Sequence, residues 1–313
     1  MRPQKIPSPL LEDYYGEPSI DSETVLDSSL SSNRKNCSPS SYVSSTPTLI
    51  KDYFRNGLAL ELFLCLVLFL LGFYLPRFCK THERPIPYQV LSTGDVILDF
   101  SLNEKVVGEQ IPEMTMLYIA TIVPLVVILS LECYFKNGMI FHDGCCVYFS
   151  AMGVNALVTG FIKRFTGRLR PHFYEKCDFD TASLECKSDD YEHARMSFPS
   201  GHSSVSFCAL TCVALVLLGV GRFIASMSTS TPSTSRTCLY GIHKLTSYCP
   251  IALATFISVT RIYDNFHFPS DVVAGALIGT VVAWNAYHIR FPSIYDDAEY
   301  GIPRRFLPGE FFA

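Results

Sequence analysis

Charged residues are scarce in this chain. Lys, Arg, Asp and Glu make up 17% of its 313 residues, whereas a typical soluble domain carries about 25%. Hydrophobic residues make up 49% and the mean hydropathy is +0.24, so apolar residues stand where a water-exposed surface would need charges. The formal net charge of −4 provides no basic footprint for nucleic acid. The composition therefore indicates a membrane protein.

Zinc-ligand spacing is also absent, although the chain has twelve cysteines. No CxxC pair occurs, so we expect no structural zinc site. Several cysteines lie in apolar runs, where a thiol usually behaves as a small hydrophobic side chain. Cys177 and Cys186 instead lie in a polar loop. Whether they form a disulfide stays open, because the bond would require that loop to be extracytoplasmic.

Periodic apolar residues are missing from the first fifty positions. Residues 1–50 are rich in Ser and Pro and cannot bury enough surface to offset their ordering entropy, so we expect a disordered, cytosolic tail. They also lack the charged n-region, short apolar stretch and small-residue cleavage site of a signal peptide, so we expect none to be cleaved. The folded domain is expected at 51–290, with a second cytosolic tail at 291–313.

Six apolar stretches follow, and a membrane-crossing helix needs about 20 residues. They lie at 57–75, 114–135, 144–162, 203–225, 246–260 and 271–288. The fifth is the least regular, because Pro250 and several Ser and Thr interrupt it. In the sixth, Gly275 and Gly279 have the small-xxx-small spacing of packed membrane helices. The sequence predicts an all-α membrane protein, a bundle of six transmembrane helices.

An even number of crossings places both termini on one side of the membrane. The loops 76–113 and 163–202 and the turn 261–270 then share the other side. Lys and Arg flank both ends of the first helix, so charge bias is a weak guide to orientation. Taken alone, the strongly basic loop 163–202 would face the cytoplasm under the positive-inside rule.

Three polar clusters interrupt the apolar chain on the side of those loops, at 163–171, 197–202 and 261–271. Charge at a membrane helix end is costly unless it is used, and a compact bundle can bring these helix ends together. Lys and Arg suit a phosphate, because the planar guanidinium donates two parallel hydrogen bonds to phosphoryl oxygens. A helix that opens with Ser-Gly-His adds backbone N–H groups and a dipole that favour an anion. The clusters therefore indicate a phosphate site.

Each feature has a plainer explanation when it is taken alone. Ser270 and Asp271 are common helix caps, and Pro199-Ser200 could be only a helix start. A lone His at a membrane interface is more often a wet surface group than a catalyst. Three clusters on one side of the membrane favour the functional interpretation.

The spacing within these clusters resembles the signature motifs of the lipid phosphate phosphatases. These are the type 2 phosphatidic acid phosphatases, which share a catalytic core with the vanadium haloperoxidases. The matching elements are Lys163-x6-Arg170-Pro171, Pro199-Ser200-Gly201-His202 and Arg261-x5-His267-x2-Ser270-Asp271. The surrounding sequences GRLRPHF, SFPSGHSS and SDVVAG match as well, and the resemblance covers roughly 50–290. Each motif alone is moderately specific, whereas all three in order are a strong signal.

The resemblance implies a role for each matching position. His267 would be the nucleophile that forms a phosphohistidine, Asp271 would orient its ring, and His202 would protonate the leaving lipid alkoxide. The implied phosphate-binding residues are Lys163, Arg170, Ser200, Gly201 and Arg261. The neighbouring side chains that could attract the headgroup are Arg164, Arg168, His172 and Arg195. The family is magnesium-independent, so no metal and no cofactor are expected.

The resemblance also implies the partners and the place of the site. The site would lie at the extracytoplasmic or lumenal face of a multi-pass protein of the plasma membrane or an endomembrane. The partners would be the bilayer and a lipid phosphate, with no nucleic acid, while a homo-oligomer stays open. Phosphatidate is the expected substrate, and lysophosphatidate, diacylglycerol pyrophosphate and sphingoid-base phosphates are alternatives.

The sequence departs from the family pattern at two points, and its motifs argue against four rival functions. The third motif begins Thr260-Arg261 where the family usually has Ser-Arg, and no N-glycosylation sequon occurs in 163–202. A catalytically dead relative would have lost Lys163, His202 or His267. A lipid phosphotransferase would not be expected to carry the complete Lys-x6-Arg-Pro element. A channel would need charges along a pore, and a serine hydrolase would need a partner set for its nucleophile.

Overall fold

The structure is a computed structural model, and it describes residues 57–135, 139–188, 191–227, 233–295 and 303–304. Six of its helices are long and apolar enough to cross a membrane, and the spans run Leu58–Phe78, Glu113–Tyr134, Ile140–Thr166, Gly201–Gly221, Thr237–Tyr263 and Pro269–Arg290. The prediction of a six-helix, all-α bundle is confirmed. The predicted tail 1–50 lies outside the described residues, as does most of the predicted tail 291–313.

The α-helices in chain order are α1 (Leu58–Tyr74), α2 (Glu113–Phe135), α3 (Met139–Thr166), α4 (Phe173–Cys177), α5 (Gly201–Met227), α6 (Ser233–Thr246), α7 (Cys249–Tyr263) and α8 (Pro269–Arg290). The short strands β1 (Tyr88–Val90) and β2 (Val96–Leu98) form one antiparallel hairpin, and β3 (Phe179–Asp180) and β4 (Glu185–Cys186) form another. Both hairpins lie in the loops that join the spans.

The fifth span differs from the predicted stretch 246–260. It consists of α6 and α7, and it begins at Thr237. The hydropathy pattern missed α6 because that helix contains two Ser, three Thr and the polar residues Arg236, His243 and Lys244. Pro250 does not interrupt α7, because it lies in the first turn of the helix, where its missing N–H would have had no partner.

Helix α5 is the centre of the bundle. In its apolar stretch 89% is buried, against 11% in that of α1, so α5 is enclosed by other helices and α1 faces outward. Helix α8 packs most closely on α5. A Cβ atom added to Gly275 would lie 2.5 Å from the carbonyl oxygen of Ser200, and one added to Gly279 would overlap the carbonyl oxygen of Ser204. The small-xxx-small interpretation of this helix is confirmed.

The loops on the side of the three motifs form a second, smaller core outside the bundle. Its buried members are Leu102, Leu169, Phe173, Tyr174, Cys177 and Ala194. Cys177 and Cys186 form a disulfide, which answers the question that the sequence left open. The Tyr174 hydroxyl donates to the carbonyl of Pro87, so the loops 79–112 and 167–200 pack together as one layer.

Candidate active site

The three motifs converge where this loop layer meets the bundle. Lys163 lies in the last turn of α3, the Ser200–His202 segment opens α5, Arg261 lies in the last turn of α7, and α8 begins just before Asp271. The Ser200 amide donates to the Asp271 carbonyl at 2.9 Å. Arg261 Nη1 lies 3.5 Å from His202 Nε2. Residues more than a hundred positions apart are thus brought into one cluster.

His267 lies in the tight turn between α7 and α8. Asn265 adopts the left-handed conformation there, with φ 59°, and the His267 amide donates to the Arg261 carbonyl at 3.2 Å. The side chain is 3% exposed, and its Nδ1 lies 3.7 Å from Asp271 Oδ2, which is too long for a hydrogen bond.

The surroundings of His267 keep its imidazole neutral. Burial, reinforced by the positive charges of Arg170 and Lys163, holds the pKa of His267 well below its ordinary value of 6.5, while Asp271 acts in the opposite direction. The neutral ring has a free lone pair at neutral pH. That lone pair is what a nucleophilic histidine requires.

Asp271 is fully buried and bound by three donors. Its Oδ1 accepts from Arg168 Nη1 at 2.7 Å, and its Oδ2 accepts from Ser197 Oγ at 2.6 Å and from the Phe268 amide at 3.0 Å. The Arg168 guanidinium also stacks over the Phe268 ring, 4.4 Å from its centroid. The carboxylate is therefore fixed in orientation beside the His267 ring.

Arg168 and Ser197 are functional candidates that the sequence interpretation missed. Arg168 was expected near the headgroup, and the structure instead places it on Asp271. Each residue lies two positions before a motif residue, Arg170 and Pro199 respectively. The only available signal was this closeness in sequence, which does not reveal a carboxylate that lies 103 residues beyond Arg168 and 74 beyond Ser197.

Arg261 is a buried cation, and two of its guanidinium nitrogens already donate hydrogen bonds to protein oxygens. Its Nη2 donates to Asp264 Oδ2 at 2.7 Å, and its Nε donates to the Thr260 hydroxyl at 3.3 Å. The hydroxyl that replaces the usual serine of the third motif is therefore used. Asp264 was also missed from the sequence, and it holds the guanidinium so that Nη1 points toward His202.

Arg170 differs from Arg261 because its charge is not matched. Its guanidinium makes no ion pair with any residue that the structure describes, and Nε has no hydrogen-bond partner there. Burial lowers the pKa of Arg170 to about 10, so the group remains charged at neutral pH. Its ring contact is with Phe266, 5.7 Å from the centroid. A buried, unpaired guanidinium is strongly unfavourable unless an anion joins it.

Lys163, Ser200 and Gly201 complete the predicted set. Lys163 Nζ donates to the Met196 carbonyl at 3.0 Å, and a Cβ on Gly201 would lie 3.8 Å from the same Nζ. Ser200 is buried, and its amide and hydroxyl are engaged with Asp271 and with the Ser203 amide. Lys163 and Gly201 therefore border one space, while Ser200 mainly joins α5 to α8.

A segment of the first long loop covers the site. The Gln110 amide donates to Asp264 Oδ2 at 3.1 Å, and the Glu109 carboxylate lies 4.0 Å from Arg261 Nη1. Asn265 Nδ2 donates to the Lys105 carbonyl at 2.9 Å. No motif marks this segment, so the sequence interpretation did not include it.

The other three residues expected near the headgroup have internal partners. His172 is buried, and its Nδ1 lies 2.8 Å from the Asn265 carbonyl, which supports the turn that carries His267. Arg164 donates to the Cys79 carbonyl and to Glu192, and Arg195 donates to the Arg84 carbonyl. The expectation for these side chains is replaced by a role in holding the loop layer together.

Comparison with known proteins gives a consistent picture. The PAP2 superfamily model matches residues 144–295, a range that contains every predicted site residue. The chain is 27% identical over 248 residues to a PA-phosphatase related-family protein of Dictyostelium discoideum, covering 78% of this chain and 83% of that one. No solved structure matches.

Two shorter matches involve proteins whose printed names state a substrate. Lipid phosphate phosphatase 1 of Arabidopsis thaliana is 30% identical over 193 residues, covering 58% of this chain and 55% of that protein. Diacylglycerol pyrophosphate phosphatase 1 of Saccharomyces cerevisiae is 30% identical over 168 residues, covering 48% and 54%. The match thus spans about half the length of these two relatives. The region 144–295, in which the three motifs gather in one cluster, is therefore a PAP2 superfamily domain.

Proposed function

We propose that this protein is a metal-independent lipid phosphate phosphatase that hydrolyses phosphatidate to diacylglycerol and phosphate. The observation that carries the proposal is the neutral, buried His267 beside a fixed Asp271, next to the unpaired cation of Arg170. Two relatives are named as phosphatases of lipid phosphates, and this supports the same reaction class. Among the described residues, no group of three or more His, Cys, Asp or Glu side chains is placed so that it could hold a metal ion.

The reaction begins with the phosphate monoester among the cations. Arg170, Arg261 and Lys163 bind the phosphoryl oxygens and stabilise the charge that redistributes in the transition state. Because Nδ1 of His267 faces Asp271, its Nε2 is the atom that attacks phosphorus. A P–N bond forms while the P–O bond to the lipid breaks, and His202 donates a proton to the departing alkoxide.

The second step restores the enzyme. His202, now neutral, removes a proton from a water molecule, whose oxygen attacks phosphorus as the P–N bond breaks. Phosphate leaves, His267 recovers its lone pair, and His202 recovers its proton. Asp271 orients the His267 ring throughout and stabilises the positive charge that the ring carries in the phosphohistidine.

The side of the membrane is part of the proposal. Disulfides persist in oxidising compartments, and the Cys177–Cys186 bond belongs to the same loop layer as the site. We infer that this layer is extracytoplasmic or lumenal. A phosphatidate molecule can then keep its acyl chains in the bilayer while its headgroup enters the site.

A second substrate has a specific observation in its favour. The similarity to a diacylglycerol pyrophosphate phosphatase suits a site with more cations than paired carboxylates, because a pyrophosphate carries more negative charge than a monoester. The terminal phosphoryl group would react in the same way, with phosphatidate as the leaving group.

The test is phosphate release from lipid phosphates in detergent micelles, with EDTA present. We expect activity in the wild type and a loss of roughly three orders of magnitude or more in His267→Ala, as for other single nucleophile substitutions. The exposed His193 lies in the same loop layer, and His193→Ala is the matched control, which should stay near wild type. A wild type that is inactive on every lipid phosphate would defeat the proposal and direct attention to phosphotransfer.

A further inference from the structure

A cavity that the proposed mechanism does not use lies next to the site. It has a volume of about 200 Å³ and lies between the ends of α1, α3 and α5. The residues that line it include Phe73, Pro76, Ala156, Thr159, Lys163 and Gly201. All of them belong to membrane spans. The cavity is therefore at the height of the bilayer boundary, just inside the apolar layer.

The lining of this cavity combines cations with a mainly apolar wall. Lys163 and Gly201, which the proposed function assigns to the phosphate, border it. Arg164 and the exposed Arg77 also line it, and the rest of the wall is mainly apolar. A molecule that fits this lining has an anionic headgroup and a mainly apolar body.

The shape of the cavity depends on a close helix contact. A Cβ on Gly160 would lie 2.7 Å from the ring carbons of Pro76, so α3 accepts the end of α1 only because position 160 has no side chain. The space is thus framed by the backbone of two helices. It does not arise from a flexible surface side chain.

Thr159 supplies a polar group in this otherwise apolar wall. Its side chain is 5% exposed, and its hydroxyl has no hydrogen-bond partner among the residues that the structure describes. A buried hydroxyl without a partner is unfavourable. A change of its χ1 rotamer, which Thr readily makes in a helix, would direct the hydroxyl at an acceptor in the cavity. An ester carbonyl of a glycerolipid lies a few bonds from the phosphate and is such an acceptor.

We propose that this cavity binds the glycerol backbone and the first ester carbonyl of the lipid substrate, which enters sideways from the bilayer beside α1. The inference rests on the proposed lipid phosphatase function and adds a specificity site to it. In this arrangement the phosphate reaches Lys163 while the acyl chains remain in the membrane. Thr159 donates to the carbonyl and so favours ester-linked glycerolipids.

The first test compares two phosphatidates that differ only in their chain linkage, ester or ether. Thr159→Val removes the hydroxyl and keeps the shape. We expect kcat/KM for the diester lipid to fall about three- to tenfold, the range of one neutral hydrogen bond, with the diether lipid nearly unchanged. Thr211→Val is the matched control, because Thr211 is equally buried and also unpartnered but lies away from this cavity. Equal losses on both lipids, or an equal effect in the control, would overturn the assignment of Thr159.

The second test fills the cavity. For Ala156→Phe we expect the KM for phosphatidate to rise at least about tenfold, since a large side chain overpacks the space. The inhibition constant of inorganic phosphate, which occupies only the phosphate-binding part at Lys163 and Gly201, should not change. Ala276→Phe on α8 is the control, because this residue does not line the cavity. An unchanged KM, or a parallel loss of phosphate inhibition, would refute a lipid seat here. A wild type that is inactive on lipid phosphates would instead refute the underlying function.

Discussion

The two ends of the helical bundle both contain buried charges, but they are balanced differently. At the end away from the motifs, Arg290 on α8 contacts two carboxylates, Glu61 on α1 at 2.7 Å and Asp143 on α3 at 3.1 Å. His142 adds a contact to Glu61 at 3.1 Å. The arginine there is matched by carboxylates, and the cluster joins three helices.

At the motif end, cations outnumber their carboxylate partners. Arg261 is paired with Asp264 and Arg168 with Asp271, whereas Arg170 has no ion pair among the described residues. The Lys163 ammonium donates to a backbone carbonyl. A cluster whose charges are paired with one another stabilises the fold, whereas a cluster with an unpaired cation can bind an anionic ligand. This contrast distinguishes a structural end of the molecule from a binding end.

The largest expected effect tests the balanced end. Arg290→Gln removes the cation that contacts the buried Asp143 and the partly exposed Glu61, and breaking a buried pair typically costs about 3–5 kcal/mol. We expect the free energy of unfolding in detergent to fall by that order, with phosphate release per folded molecule retained. Lys187→Gln breaks an exposed pair with Asp180 and should change the free energy of unfolding very little. Similar stability losses in the two variants would remove the structural interpretation of Arg290.

The next effect tests the unbalanced end. Arg170→Gln removes a charge that the resting protein does not pair, so the thermal unfolding midpoint should stay unchanged or rise. Loss of one preorganised donor for the phosphoryl group should lower kcat by roughly 10²–10³. Lys187→Gln again serves as the control. A large stability loss without a matching loss of kcat would show that Arg170 is structural.

The pH dependence of activity sharpens the contrast further. The pKa of His267 is held well below 6.5, so the proposed nucleophile stays unprotonated as pH falls through 6.5. We expect the acid limb of kcat/KM to lie below that pH. Because Asp271 raises the pKa of His267, the residual activity of Asp271→Asn should show an acid limb at still lower pH. An acid limb at or above pH 6.5 in the wild type would contradict the neutral, buried imidazole.

The same shift gives a stability prediction, and its sign follows from proton counting. Below pH 6.5 the unfolded chain binds a proton at His267 that the folded chain does not bind. The free energy of unfolding should therefore fall as pH falls below 6.5. His267→Gln removes this contribution, so its stability should depend less on pH in that range. An identical pH dependence in both proteins would exclude the contribution.

The smallest expected effect concerns the support of Asp271. Ser197→Ala removes one of its three donors and should lower kcat about three- to tenfold, the range of a single hydrogen bond, with little change in KM. Ser150→Ala, which removes a hydroxyl bonded within α3, is the control. If Ser197→Ala changes KM and not kcat, the serine acts on the substrate and not through Asp271.

Much of this arrangement could be predicted from the sequence because its signals are local. Each apolar stretch and each motif lies within a short window, and the order of the motifs predicted the cluster of Lys163, His202 and His267. The parts that could not be predicted depend on distant pairs. Gln110 meets Asp264 across 154 residues, and Arg168 meets Asp271 across 103. No local pattern contains such contacts.

The sequence interpretation of the basic loop failed for a related reason. Arg164, His172 and Arg195 look like headgroup ligands when only their charge is considered. Their actual partners are backbone carbonyls and a carboxylate in the loop layer, which exist only after the loops have folded together. Charge identifies a residue that needs a partner, but the fold decides which partner it finds.

The contact between Gly275 and Ser200 has a consequence for genetic screens. An alanine at 275 would collide with the Ser200 carbonyl, where the helix that carries His202 begins. Because the Ser200 amide donates to the Asp271 carbonyl, a displacement of Ser200 would also disturb the backbone of Asp271. A screen for inactive variants would therefore recover position 275 together with the two histidines of the proposed mechanism, although glycine has no side chain that could touch a substrate. The positions recovered by such a screen would include those where two helices must pack closely as well as those whose side chains take part in the chemistry.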